Sequence, residues 1–260
     1  MHHLDLHGPL ITDFFWSFLS LVAMRKLLLL SSSSYHGAEG FLGWCGDLLT
    51  EFLGKEVSRV LFVPYALFDY NEYTTTVRDR LKQLGYEVDG IHELENPLQA
   101  VEQAQAIFVG GGNSFRLLKT MYDHRLVDAV RKRVLQDGMP YIGSSAGTNL
   151  STVSICTTND MPIVHPPTFE ALALVPFNIN PHYIDPDPSS THMGETREKR
   201  IREYHMYADR PPVLGLREGS ALLVLGDKAV LKGPTGAKLF KPKEEAEVFE
   251  SGSDVSFLLK

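Results

Sequence analysis

Short apolar runs alternate with amphipathic stretches along the first half of the chain, from residue 24 onward. The apolar runs have the length and composition of strands that are buried on both faces, and the positions between them follow a helical period. Gly85 stands where a helix is expected to end. The predicted strands are 26–30, 59–64, 86–91, 106–109 and 140–142, and the predicted helices are 41–53, 73–84, 97–104, 114–121 and 126–135.

This alternation predicts an α/β fold, with a doubly wound, mostly parallel sheet that has helices on both faces. Sheets of this kind place their functional sites at the carboxyl ends of strands. Two glycine-rich segments, 110–113 and 143–147, fall at such ends. Toward the C-terminus the pattern changes to a hairpin, 221–225 and 229–232, and the charged segment 241–250 is expected to be peripheral.

Composition and charge narrow the class of protein. The chain has 260 residues, of which 43% are hydrophobic and 22% charged, and this suits one globular domain. The net charge of −7 disfavours nucleic acid as a partner, because phosphate binding needs a basic surface. Two cysteines, Cys45 and Cys156, and ten histidines without metal-binding spacing favour a reducing cytoplasm, and we expect neither a metal nor a cofactor.

The N-terminal segment differs from the rest of the chain. Residues 11–23 are apolar, but they are too short to span a membrane, and no Lys or Arg precedes them as in a signal peptide. Met24 then begins a segment that resembles a natural protein start. We therefore expect residues 1–23 to be a poorly ordered extension, in preference to a targeting signal, and residues 24–260 to form a single α/β hydrolytic domain.

The segment 141–150, YIGSSAGTNL, carries the pattern Gly-x-Ser-x-Gly with Ser145 at its centre. At a strand-to-helix junction this pattern exposes a nucleophilic serine, although ordinary Gly/Ser turns match it as well. A serine hydroxyl needs a neighbouring base. His182 is the preferred candidate because Pro181 restrains the loop in which it is expected to lie. The other histidines considered are His165, His192 and His205.

An orienting carboxylate and an oxyanion site would complete such a mechanism. Asp160, in a loop stiffened by Pro162, is the first candidate for the carboxylate, and Glu218 is the second. The backbone N–H of Ala146 would supply one oxyanion donor. The glycine loop 110–112 would supply the other, since glycine lets a carbonyl oxygen approach the backbone. A dinucleotide-binding interpretation of that loop is weak, because the third glycine of its fingerprint is missing.

Several segments share a pattern that occurs in a known family. They are GGGNSFRLLK (110–119), YIGSSAGTN (141–149), TTNDMPIV (157–164), INPHY (179–183), GETREKRIRE (194–203) and GLREG (215–219). Together they resemble peptidase E, the family of α-aspartyl dipeptidases, and the similarity extends from about residue 24 to near residue 243. The resemblance implies a doubly wound α/β fold related to the class I glutamine amidotransferases. It also implies a cytoplasmic serine hydrolase that cleaves dipeptides with an N-terminal aspartate through an acyl-enzyme.

The resemblance also implies roles for individual residues. By position in the motifs, the implied roles are nucleophile for Ser145, base for His182, third triad member for Asp160 or alternatively Glu218, and oxyanion amides for Gly112 and Ala146.

Two features depart from the family pattern. Ser144 stands where a large aromatic residue is expected in bacterial relatives, and residues 1–23 have no counterpart.

Substrate-binding residues are expected on two segments. Residues 194–203 are predicted to be helical, with favourable i,i+4 pairs that engage Lys199 and Arg202 but leave Arg197 without such a partner. The guanidinium of Arg197 could hold the aspartate carboxylate of a substrate in a bidentate pair, which a lysine cannot reproduce. Asn113 could contact polar groups of the substrate from the side of the glycine loop.

The expected partner is a small dipeptide substrate, with neither nucleic acid nor membrane, and a homodimer is an open alternative to a monomer. The alternative function is a related acyl hydrolase of the cyanophycinase-like or esterase type on the same scaffold. A binding module that has lost catalysis is less favoured, because Ser145, His182 and the glycine loop are all present.

Overall fold

The computed structural model describes residues 25–191, 193–207 and 209–260, so the predictions for residues 1–23 and for His192 lie outside the described residues. The strands are β1 (Lys26–Leu30), β2 (Arg59–Val63), β3 (Glu87–Gly90), β4 (Ile107–Val109), β5 (Tyr141–Ser144), β6 (Asn178–Tyr183), β7 (Val213–Arg217), β8 (Ala221–Leu225), β9 (Lys228–Lys232), β10 (Ala237–Phe240) and β11 (Glu247–Phe249). The helices are α1 (Gly46–Leu53), α2 (Tyr70–Gln83), α3 (Pro97–Gln103), α4 (Ser114–Asp123), α5 (Leu126–Gln136), α6 (Ala146–Leu150) and α7 (Arg197–Tyr204).

The larger of the two sheets carries the strands that the sequence pattern predicted. Its order is β3-β2-β4-β5-β1-β8-β9. The five strands from β3 to β1 are parallel, and the hairpin β8–β9 continues the sheet in the antiparallel direction from β1. The expected doubly wound, mostly parallel sheet is confirmed, and so is the hairpin near the C-terminus.

Side chains of the central strand β1 alternate between two apolar layers. Leu28 and Leu30 belong to a cluster with α1 and α2, whereas Leu27 and Leu29 belong to a cluster with α3, α4 and α5. Successive strand residues point to opposite faces, so a continuous leucine run fills both layers. The helices that the sequence placed between strands therefore cover both faces of the sheet.

Side-chain caps set where several helices begin. Asp69 accepts from the N–H of Glu72 at 2.8 Å and starts α2 earlier than the predicted position 73. Thr196 accepts from the N–H of Lys199 at 3.1 Å and starts α7. Each cap satisfies an N–H group that has no partner inside the helix, which stabilises the helix by about 1 kcal/mol.

A second, four-stranded sheet was not predicted. Its order is β11-β10-β7-β6, with β6 and β7 parallel. The segment of β6 has the composition of a loop, because it contains two asparagines and a proline. The asparagines are buried because their side chains bond to neighbouring backbone: Asn178 Nδ2 donates to the carbonyl of Ser154 at 3.0 Å, and Asn180 Nδ2 donates to that of Thr157 at 2.8 Å. Strand β11 lies within the segment that was expected to be peripheral.

The two sheets share one apolar core. The cluster that contains Leu27 and Leu29 of the first sheet also contains Leu214, Leu216 and Leu239 of the second. We therefore propose that the described chain folds as a single domain. None of its described helices is long and apolar enough to cross a membrane.

Substituting Gly147 with alanine is expected to destabilise the fold. An added Cβ would lie 2.1 Å from the carbonyl oxygen of Val109, and neither backbone can move without shifting α6 or β4. Overpacking of this kind costs about 1–3 kcal/mol, so the urea midpoint of unfolding should fall. Gly43→Ala is the matched control, because a Cβ there would lie 4.0 Å from its nearest neighbour, the carbonyl carbon of Ala38. Equal midpoints for the two variants would contradict this account of the α6 contact.

Candidate active site

Ser145 is the single residue between strand β5 and helix α6. Its backbone has φ 51° and ψ −109°, a conformation that non-glycine residues rarely adopt. The chain is held there by two hydrogen bonds, from the Ser145 N–H to the carbonyl of Leu30 at 3.1 Å and from the Asn149 N–H to the carbonyl of Ser145 at 2.9 Å. This sharp strand-to-helix turn is the geometry expected of a nucleophile elbow.

A chain of two hydrogen bonds links Ser145 to a carboxylate through His182. The His182 Nε2 lies 2.9 Å from the Ser145 Oγ, and its Nδ1 lies 2.7 Å from the Glu218 Oε1. A carboxylate can only accept, so Nδ1 carries the proton and Nε2 is left to accept from the serine hydroxyl. This is the tautomer that a general base needs when it activates a serine.

His182 was expected on a loop, but it is part of β6. Its φ is +53°, and the pairing of β6 with β7 is irregular between Asn180 and Tyr183. The irregularity turns the imidazole out of the strand register and toward Ser145. The deviation from a regular strand is therefore what brings the ring to the serine.

Asp160, the first candidate for the orienting carboxylate, does not contact His182. Its Oδ2 accepts from the N–H of Ser114 at 2.7 Å and from the hydroxyl of Thr158 at 2.9 Å. The position beside the imidazole is occupied by Glu218, the second candidate. Spacing along the chain could not show which of the two carboxylates contacts His182, because the sheet that brings Glu218 close to His182 was not predicted.

The predicted oxyanion amides are Gly112 and Ala146. Gly112 has φ +132°, and a Cβ there would lie 2.5 Å from the carbonyl oxygen of Ala66, so only glycine fits. The neighbouring Gly111 N–H donates to the hydroxyl of Tyr73 at 2.8 Å, and burial raises the pKa of Tyr73 to about 12, which keeps this acceptor neutral.

Two amides therefore remain for an oxyanion. Among the described residues, the N–H of Gly112 has no hydrogen-bond partner, whereas those of Gly110, Gly111 and Asn113 do. Ala146 is the first residue of α6, where a backbone N–H has no acceptor within the helix. Both observations support the predicted oxyanion site.

Ser145, His182 and Glu218 line a cavity of about 370 Å³ that also contains Asp160 and Arg197. This volume suits a small ligand. Arg197 is the first residue of α7 and half-buried. Burial, followed by the neighbouring charge of Arg200, lowers the pKa of its guanidinium, while Asp160 raises it. The group still carries its charge at neutral pH, because an arginine pKa starts above 12.

The expected helix pairs leave Arg197 available. Lys199 pairs with Glu195 at 3.2 Å and Arg202 with Glu198 at 2.9 Å. In the part of the chain that the structure describes, Arg197 forms no ion pair. A partly desolvated guanidinium that faces a cavity without a counter-charge in contact is suited to bind a carboxylate.

The side chain of Asn113, which was predicted to contact the substrate, forms two hydrogen bonds within the protein. Its Oδ1 caps α4 by accepting from the N–H of Arg116 at 3.0 Å, and its Nδ2 donates to the carbonyl of Met161 at 2.8 Å. Both ends of the amide are thus engaged, and they hold the loop that carries Asp160 against α4. Ser144, where the family pattern was expected to differ, is fully buried on β5.

Sequence reasoning missed Ser31, which positions His182. Its Oγ accepts from the N–H of His182 at 2.9 Å and donates to the carbonyl of Leu216 at 2.8 Å. Ser31 follows directly on β1. Its place at the carboxyl end of a central strand was the signal that could have identified it.

Replacing Ser31 with alanine should slow the reaction of Ser145 with a fluorophosphonate reagent by about 10- to 100-fold, because the catalytic ring is displaced once its strained backbone loses this acceptor. The measurement is the rate of covalent labelling. Ser220→Ala is the matched control, since Ser220 is equally buried and its Oγ has no hydrogen-bond partner among the described residues. Identical labelling rates for both variants and the wild type would rule out the positioning role.

Comparison with known proteins places the chain among peptidases. The model of Peptidase family S51 matches residues 27–232. A "Probable alpha-aspartyl dipeptidase" of Drosophila melanogaster is 54% identical over 92% of this chain and 100% of its own length. A "Peptidase E" of Streptomyces coelicolor is 54% identical over 90% of this chain and 95% of its own.

A solved structure shows the same fold. The crystal structure of a peptidase from an acI-B1 Actinobacterium superposes with a TM-score of 0.66, at 17% identity, over 90% of this chain and 97% of that one. The resemblance to peptidase E is confirmed, and the cyanophycinase-like or esterase alternative is not favoured by these relatives. With a family model that covers most of the sequence and relatives that match nearly all of it, the chain belongs to peptidase family S51.

Proposed function

We propose that the protein is a serine-type dipeptidase that hydrolyses dipeptides with an N-terminal aspartate. The observation that carries the proposal is that one small cavity is lined by the Ser145–His182–Glu218 hydrogen-bond chain and by Arg197, which forms no ion pair among the described residues. The names of the Drosophila and Streptomyces relatives support the same activity.

The reaction begins at the serine hydroxyl. The His182 Nε2 takes the proton as Ser145 Oγ attacks the carbonyl carbon of the aspartyl residue, and Glu218 stabilises the imidazolium that forms. The carbonyl oxygen becomes negatively charged and accepts from the N–H groups of Gly112 and Ala146. When the C–N bond breaks, the imidazolium gives its proton to the leaving amine, and an aspartyl ester of Ser145 remains.

Water completes the cycle. His182 accepts a proton from a water molecule as its oxygen attacks the ester carbonyl, and the second tetrahedral intermediate uses the same two amides. The proton returns to Ser145 Oγ as the ester bond breaks. Aspartate is released, and the enzyme regains its starting protonation.

Arg197 supplies the preference for aspartate. The guanidinium of Arg197 is anchored at the first turn of α7, so it binds a carboxylate at a fixed distance from the scissile carbonyl. A glutamyl side chain is one methylene too long for this distance. An asparaginyl side chain keeps the length but leaves the partly buried guanidinium without a counter-charge, a loss on the order of 2–5 kcal/mol.

Glu218→Gln should lower kcat by about 10⁴-fold while the fold is unchanged, by analogy with the amide substitution in other triads. Glutamine can present its amide nitrogen to Nδ1, which then favours the wrong tautomer. Turnover of aspartyl p-nitroanilide gives kcat, and circular dichroism reports the fold. The control is Glu195→Gln, which removes an exposed carboxylate whose one ion pair within the described ranges is with Lys199. If Glu218→Gln kept a tenth of the wild-type rate, Glu218 would not be the orienting group.

Arg197→Lys should lower kcat/KM for aspartyl p-nitroanilide by about 10²-fold, since a point charge does not hold the substrate carbonyl in line with Ser145. Arg200→Lys, an exposed position one helical turn away from the N-terminus of α7, should change it little. The wild type should also prefer aspartyl over glutamyl, asparaginyl and alanyl p-nitroanilides. Equal turnover of aspartyl and alanyl substrates would disprove the role of a cationic pocket.

A further inference from the structure

We propose that Asp160 binds the free α-ammonium group of the substrate. This inference rests on the proposed dipeptidase function and assigns a second charge contact within the same cavity. Asp160 lines that cavity together with Ser145, but its carboxylate makes no contact with the catalytic imidazole. Its side chain is therefore available for a role other than orienting His182.

The carboxylate of Asp160 is fixed through one of its two oxygens. Oδ2 accepts from the N–H of Ser114, at the start of α4, and from the hydroxyl of Thr158. Within the described residues, Oδ1 has no hydrogen-bond partner. These two donors, one of them at the positive end of the α4 dipole, hold the carboxylate in place, and neither of them carries a formal positive charge.

Asp160 and Arg197 carry opposite charges, but their side chains are not in contact. Arg197 lies within electrostatic range of Asp160, yet no ion pair forms between them among the residues described. Each charge is anchored separately, Asp160 on the loop against α4 and Arg197 on α7. Two fixed charges of opposite sign that line one cavity, and that have no ion-pair partner among the described residues, are complementary to a ligand that carries both charges.

An N-terminal aspartyl residue is such a ligand. Its ammonium and its side-chain carboxylate are attached to neighbouring carbons, and the scissile carbonyl is bonded to the carbon that bears the ammonium. With the carboxylate on Arg197 and the carbonyl at Ser145, the ammonium needs an anionic acceptor on the cavity wall. Glu218 already accepts from His182, which leaves Asp160 as the carboxylate for this role.

The assignment makes the enzyme an exopeptidase for an electrostatic reason. An acyl group on the substrate nitrogen removes its positive charge and leaves the Asp160 carboxylate desolvated and unpaired. Aspartate inside a peptide chain carries such a group by definition. Rejection of internal and N-blocked aspartate then follows from Asp160, whereas rejection of other side chains follows from Arg197.

The test compares two substrates that differ only in the ammonium. Aspartyl p-nitroanilide carries it, and succinyl p-nitroanilide is the same molecule without the amino group. For the wild type, kcat/KM should be on the order of 10²- to 10³-fold higher for the aspartyl substrate, as expected when one partner of a desolvated charge pair is missing. Asp160→Asn should lose most activity on the aspartyl substrate but stay within about threefold of the wild type on the succinyl substrate.

The alternatives give different results. If Asp160 positioned His182 or only stabilised the fold, Asp160→Asn would slow both substrates by the same factor, and the inference would be wrong. Fluorophosphonate labelling of Ser145 at the wild-type rate would show that the variant keeps an intact catalytic centre. The surface variant Glu195→Gln, which also removes one negative charge, should leave the ratio of the two substrates unchanged.

Failure of the proposed function can be distinguished from failure of this inference. If the wild type cleaved alanyl as fast as aspartyl p-nitroanilide, the preference for aspartate would be wrong. The ammonium contact would still be measured by comparing alanyl with propionyl p-nitroanilide, which again differ only in the amino group. The inference would be overturned if alanyl and propionyl p-nitroanilide were cleaved at equal rates, and aspartyl and succinyl p-nitroanilide likewise.

Discussion

The site depends on the junction between the two sheets at the carboxyl end of β1. Ser145 comes from the first sheet, whereas His182 lies on the second sheet and Glu218 directly follows its strand β7. The hydroxyl of Ser31 bridges the two by bonding to β6 and β7 at once. A hydrogen-bond chain that tolerates only a few tenths of an ångström can form between separate sheets because this buried contact fixes their register.

The first sheet was predictable because its signals are local. Each parallel strand is a continuous apolar run and each helix has its own period, so the burial of both faces of the sheet is visible in the sequence. The elbow at Ser145 was also predictable from a local signal, the glycines that flank it. One of them, Gly147, is required where α6 contacts β4. The second sheet was missed because the Nδ2 groups of the buried asparagines of β6 donate to backbone carbonyls distant in sequence, which no local pattern reveals.

The assignment of carboxylates shows the limit of motif-based reasoning. Asp160 and Glu218 both lie in motifs at comparable loop positions, and only the three-dimensional arrangement shows that Glu218 meets the imidazole. The hydrogen bonds of Asp160 to Ser114 and Thr158 were equally invisible in the sequence. A motif identifies which residues belong to a site, but the division of roles among similar side chains is set by which oxygen meets which donor.

Charge placement explains how an acidic protein can select an acidic substrate. The net charge of −7 opposes the approach of an aspartyl peptide, so affinity has to come from a local contact in which water is excluded. Arg197 is partly buried and has no ion-pair partner in the part of the chain that the structure describes, and this makes its attraction for a carboxylate stronger than that of an exposed arginine. An anionic group across the same cavity would weaken that attraction for a simple anion, but it would strengthen the binding of a zwitterion. The distance between the two protein charges must then match the distance between the ammonium and the carboxylate of the substrate. Selection of the substrate therefore depends on geometry as much as on charge.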